Sequence, residues 1–278
     1  MAITKCFSQN YFDNIRFSHK INVFHGRQTP EEGFLVGIGA VIETLKLSTP
    51  LPYRLALISE KHRQYKKSGW LVFTPRYKPQ DSLYGHLVFS LKYEGINLLF
   101  LKKLFEKTEE KVIESIIKKG PLGQYSRKIW FLYEWLMGKT LQVPDLKEGN
   151  YIPLVDEGQQ YAIERGVNSI RHRIRNNLPG TVDFCPMVIK TSKLENYIEE
   201  DLSKKTAGIV HGVHHDILLR TSAFLLLKDS KASFNIEGET PSSTRAGRWE
   251  RVIGQAGSKP LSKDELLLIE NRYQQIFK

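Results

Sequence analysis

The apolar residues of this chain recur mostly at three- and four-residue spacing, in runs that glycine or proline cuts short, and that rhythm most limits what it can fold into. Phe34, Leu35, Ile38, Val41, Ile42 and Leu45 follow it from Gly33 until the breaker Pro50-Leu-Pro52. Ahead of them, Pro30 followed by Glu31 and Glu32 reads as a helix start with acidic residues in its first turn. Ser82 to Tyr93 and Asn97 to Glu106 repeat the pattern, and Glu109 to Lys119 closes on Gly120 as a helix does. Gln124 to Gly138 places Trp130, Phe131, Tyr133 and Trp135 in one segment, the content of a core helix. Trp70 to Pro75 has the length and composition of a short strand. Gly37-x-Gly39, with no third glycine and no strand expected before it, reads as a close-packing device rather than a nucleotide loop.

Between Val143 and Val188 the texture changes to short mixed segments broken by Pro144, Pro153, Pro179 and Pro186. Helical spacing then returns near 192–203, 205–212, 215–237, 243–256 and 261–275. The expected fold is therefore mostly α, with helical bundle lobes and a short mixed strand and irregular segment in the middle. The expected organisation is a flexible arm over 1–30, a helical lobe over 31–142, a connector over 143–190 and a C-terminal helical region over 191–278.

At 278 residues and 41% hydrophobic composition, the chain can bury one large core or two modest ones. Its longest apolar stretches, Leu98 to Leu101 and Ala223 to Leu227, fall far short of the ~20 residues of a membrane span, so no membrane partner is expected. Lys5, Asp13, Arg16 and Lys20 interrupt the N-terminus, which has no secretory pattern. With only Cys6 and Cys185 as thiols, a cytoplasmic location is expected. A net charge of +11 favours polyanionic partners such as nucleic acid or nucleotide phosphates.

Three groups of residues invite a chemical reading. Arg171, His172, Arg173 and Arg175 form the sharpest basic cluster, and in an extended segment the three arginines share one face. That face suits phosphate or nucleic-acid contact, and equally structural pairing with acidic neighbours. His211, His214, His215 and Asp216 read either as metal ligands or, more economically, as a turn with Asp216 capping the next helix. Ser233 and Glu237 stand four apart, on one face of a helix, with Gly238 at its end. A glutamate so held can offer both oxygens to an arginine and take the place of a phosphate.

The Ser233-Phe-Asn-Ile-Glu237-Gly238 motif lies in an ordered series: Phe224 to Glu239, then Arg245, Arg248 and Trp249, Gly254-Gln-Ala-Gly257 and Leu261 to Leu266. Upstream stand Leu51 to Glu60, Tyr125 to Glu134 and Arg171 to Gly180. Over about residues 30–268 the chain resembles the region that precedes the catalytic core in long Fic-family AMP-transferases (filamentation induced by cAMP). The resemblance implies that Glu237 is the inhibitory glutamate, pairing with a catalytic arginine and excluding the ATP γ-phosphate, with Ser233 and Gly238 as supporting positions. The family's catalytic signature, His-x-Phe-x-Asp/Glu-Gly-Asn-Gly/Lys-Arg-x-x-Arg, is missing from this chain. The implied function is autoinhibitory, with no catalytic residue here and the partner a Fic core in cis or in trans, where ATP and Mg would bind. The alternative is a standalone nucleic-acid-binding or adaptor protein using Arg171, Arg173 and Arg175.

Overall fold

Leu55–Ile58 and Trp70–Phe73 are buried along their whole length, and these two strands form the middle of a five-stranded sheet. The computed structural model describes residues 7–236 and, beyond them, 238, 240, 242, 244, 247 and 248. The chain divides into two compact units, Met1–Ser192 and Lys193–Lys278.

In the first unit, α1 (Gln9–Asp13) precedes the hairpin of β1 (Lys20–Phe24) and β2 (Arg27–Val36). His25 and Gly26 turn it with φ of 46° and 78°, the paired left-handed geometry that matches strand twist. After α2 (Gly37–Leu45), β3 (Leu55–Ile58) pairs antiparallel with β2, and β5 (Trp70–Phe73) pairs parallel with β3. The connection between them runs through β4 (Tyr65–Lys67), which folds back on the far side of β5 and becomes an edge. Alternation along β3 and β5 divides two cores: Leu55, Leu57 and Trp70 face the larger, while Ala56, Ile58, Leu71 and Phe73 join Val36 and Phe89 in the smaller.

The helices α3 (Leu83–Phe89), α4 (Leu98–Lys107), α5 (Glu110–Lys119) and α6 (Gln124–Met137) supply the rest of the large core. Ser82 Oγ accepts from Gly85 N at 3.1 Å and Asn97 Oδ1 from Phe100 N at 3.0 Å, so α3 and α4 begin on side-chain caps. A wide π turn, Ser90–Glu94, continues α3. A small sheet of β6 (Ile152–Pro153), β7 (Val167–Ser169) and β8 (Ile174–Asn176), ordered β6-β8-β7, lies in the segment expected to mix strand and loop.

The expectation of a mostly α chain is overturned: the first unit is an α/β structure with two mixed sheets. The run from Pro30 to Leu45 is not one helix. Its first part is β2, hydrogen-bonded to neighbours on both sides, and the helix begins only at Gly37, where φ of +65° makes the turn. A strand therefore does precede Gly37-x-Gly39. At Gly39 a Cβ would stand 2.9 Å from Leu35 Cδ1, so the close-packing use holds for that glycine.

The amides at the start of α2, which in a nucleotide-binding turn would face phosphate, are taken by side chains of this unit. His86 Nδ1 accepts from Gly37 N at 3.1 Å and Glu94 Oε2 accepts from Ile38 N at 2.8 Å. Burial drops the His86 pKa to about 4 even though Asp81 pulls it upward, so the ring is neutral and its Nε2–H faces Ser18 Oγ at 3.3 Å. A Cβ on Gly37 would overlap the Glu94 carboxylate, which makes this position glycine-only for space as well as for φ.

The second unit contributes α7 (Ser192–Glu199, whose first residue ends the first unit), α8 (Leu202–His211) and α9 (His215–Ile236). Asp201 caps α8 through Lys204 N at 3.3 Å. The helical segments expected near 243–256 and 261–275 lie almost entirely outside the described residues. No helix among the described residues is long and apolar enough to cross a membrane.

Candidate functional site

Ser233 is exposed on the last turn of α9, and Gly238 follows the helix with φ of +74°. Glu237 lies outside the described residues. Asp216 falls inside the first turn of α9 and pairs with Arg220 at 2.9 Å, while His214 Nδ1 accepts from Asp216 N at 3.4 Å. Among the described residues, no group of three or more His, Cys, Asp and Glu is placed to hold a metal.

Arg171, Arg173 and Arg175 do not share a face. Only Arg175 lies within β8, and Arg173 has φ of +51°, a turn conformation that breaks the extended run. Arg171 donates from Nε and Nη2 to Glu134 at 3.0–3.2 Å and also pairs with Asp145. Its guanidinium carbon stands 4.8 Å from the centre of the Trp130 ring. Glu134 also accepts from Trp130 Nε1 at 2.8 Å, Leu141 N at 2.9 Å and His172 Nε2 at 3.0 Å. Burial alone would raise the Glu134 pKa, but Arg171, Trp130, the Leu141 amide and His172 together hold it below the usual carboxylate value. Arg173 donates to the carbonyls of Leu146 and Lys147 and lies over Tyr151, and Arg175 faces Glu157 at 3.9 Å. Arg171 thus ties the segment before β8 to α6 with its charge answered by Glu134 and Asp145, while Arg173 meets carbonyls and Tyr151 without a carboxylate among the described residues.

The cations left open lie elsewhere. Arg54, Lys66, Lys92 and Lys190 line one cleft of about 600 Å³ in the first unit, with no carboxylate in its walls. None of the four takes part in an ion pair among the described residues. Tyr65, Phe73 and Tyr93 supply aromatic surface between them. Arg54, just before β3, donates to the Lys190 carbonyl at 3.1 Å, and burial lowers its pKa. Lys92 Nζ stands 5.0 Å from the Tyr93 ring centre and Lys190 Nζ 5.1 Å from that of Tyr161. Four cations with interleaved aromatics and no carboxylate in the walls themselves, Asp156 standing behind Gln159 and Glu31 behind Tyr65, give a surface that could take phosphate-bearing ligands. In the sequence these residues are scattered singly over 136 positions between Arg54 and Lys190. The signal that reveals them is their convergence on one cleft without an ion pair among the described residues, which only the fold displays.

The chain matches no family model, no curated protein and no solved structure.

Proposed function

We propose that this chain is the regulatory portion of a Fic-type AMP-transferase, which acts by presenting Glu237 to a Fic catalytic core where ATP and Mg bind. The observation that carries the reading is the end of α9: Ser233 is exposed on its last turn, with Gly238 in the left-handed conformation shortly after. Glu237 follows Ser233 by four positions in the sequence, the spacing of one helical turn. The exposure of Ile217, Phe224 and Leu225 on the same helix fits an element that packs against a partner surface.

The test supplies a Fic core in cis or in trans and follows transfer of labelled AMP. The chain should suppress transfer, and Glu237→Gly should restore it by roughly tenfold or more, the value of one charge-assisted pairing. An equal rate with both forms rejects the role.

A second reading, a nucleic-acid-binding or adaptor protein, is favoured by the cleft of Arg54, Lys66, Lys92 and Lys190 rather than by Arg171, Arg173 and Arg175. Replacing Lys66, Lys92 and Lys190 with glutamine should weaken retention of single- or double-stranded nucleic acid. It should also reduce the slope of log affinity against log salt by about 2–3. A slope unchanged by the triple substitution removes this reading.

A further inference from the structure

The first unit carries a second, partly open pocket of about 330 Å³, at the lower end of the range for small-molecule sites. Its walls mix apolar side chains, Ile38, Ile96, Leu98, Met187 and Ile189, with the polar Tyr53, Arg54, Asn97 and Gln160. Glu94 also lines it, although the residue is only 4% exposed. Glu94 Oε2 is fixed by Ile38 N, but Glu94 Oε1 is buried and has no hydrogen-bond partner. Such an orphan is rare in a folded protein and costs free energy unless something else answers it.

Two neighbouring side chains are engaged elsewhere. Gln160 accepts from Ile96 N at 2.7 Å and donates to Ile96 O at 3.0 Å, and the Asn97 oxygen caps α4. The other charged group in the lining, Arg54, makes no ion pair with Glu94 and donates to the Lys190 carbonyl. Glu94 Oε1 is therefore the unpartnered polar atom here, and a cation that reached it would displace the carboxyl's proton. A metal ion would need further ligands, and a single carboxylate in this pocket does not provide them.

We propose that this cavity binds a small organic monocation, an ammonium or amidinium on an apolar stem, whose N–H donates to Glu94 Oε1. Burial favours the neutral acid, but the Ile38 amide at the positive start of α2 opposes it and supports the charged form once a cation offsets the burial. Bidentate or charge-assisted donation then completes the pair, and the aliphatic side chains take the stem. Arg54 at the lining disfavours a second positive charge, so polyamines are selected against.

Benzamidine is the probe, with its neutral near-isostere benzamide as the control and the full chain as the receptor. Titration at pH 7 should give a dissociation constant for benzamidine of about 0.1–1 mM, as expected for so few atoms. Benzamide should bind at least tenfold more weakly. Glu94→Gln keeps the acceptor for Ile38 N and should cost benzamidine at least tenfold in affinity. Leu98→Trp, which fills the chamber and leaves Glu94 in place, should abolish binding. Because an empty, buried Glu94 holds its proton, calorimetry in buffers of different ionisation enthalpy should show release of about one proton per benzamidine bound. Equal binding of benzamide, or benzamidine affinity that survives Glu94→Gln, overturns the proposal. So does the lack of any benzamidine binding to the unaltered chain.

Discussion

Replacing Glu134 with alanine is expected to lower the melting temperature of the first unit by roughly 10 °C. The carboxylate is 12% exposed and receives hydrogen bonds from Arg171, His172, Trp130 and the Leu141 amide. Its loss leaves the Arg171 guanidinium, itself 22% exposed, with Asp145 and one carbonyl, and it orphans the indole N–H. Breaking a buried pair from one side costs about 3–5 kcal/mol, and each kcal/mol shifts the midpoint of a unit this size by about 2–4 °C. Glu134→Gln separates the two contributions, since its oxygen can still accept from Trp130 and Leu141 while the charge opposite Arg171 is gone. The pH dependence follows from the lowered Glu134 pKa. The stabilisation is present above the ordinary carboxylate value of 4.5 and is lost as pH falls through the lower folded value. A midpoint within 2 °C of the parent, at pH 7, contradicts the assignment of Glu134 as the hub.

The second large effect has the opposite sign. Burial pushes the Glu94 pKa from 4.5 up to about 8, although the Ile38 amide draws it down. The folded protein therefore holds this proton more tightly than the unfolded chain. The associated stability is fully present below pH 4.5 and is lost as pH rises through about 8. Glutamine imitates the neutral acid at every pH. Glu94→Gln should thus equal the parent near pH 4.5 and exceed it by an amount on the order of 3–5 kcal/mol at pH 9. Urea midpoints at pH 5, 7 and 9 measure the gap. Parallel curves for the two proteins would mean that Glu94 is not buried as an acid.

Both groups illustrate what was legible in the sequence. The helices α3 to α6 could be read because their limits are written locally, in Ser82, Asn97, Gly120 and Gly138. Leu55–Ile58 and Trp70–Phe73 carry no polar alternation, because helices and loops cover both faces. Without it, Trp70–Phe73 still reads as a strand by its aromatic and β-branched composition, while Leu55–Ile58, close behind Pro50-Leu-Pro52, does not. The β2–α2 junction was hidden for a related reason. An unbroken apolar run serves first a strand and then a helix, and only the φ of Gly37 marks the change. Arg171 misled because its counter-charge, Glu134, is 37 positions away. Glu94 gave no signal, since a glutamate at the end of an amphipathic segment is ordinary until a π turn carries it inward.

The strand order leaves β4 at one margin of the main sheet, with no further strand on its outer side among the described residues. Lys66 and Lys67 occupy two of its three positions. Like charges brought together would oppose a second copy of the chain adding its own β4 there. Lys66 therefore has two consequences in one residue: it offers charge to an anionic visitor, and it keeps the molecule from propagating its sheet into an aggregate.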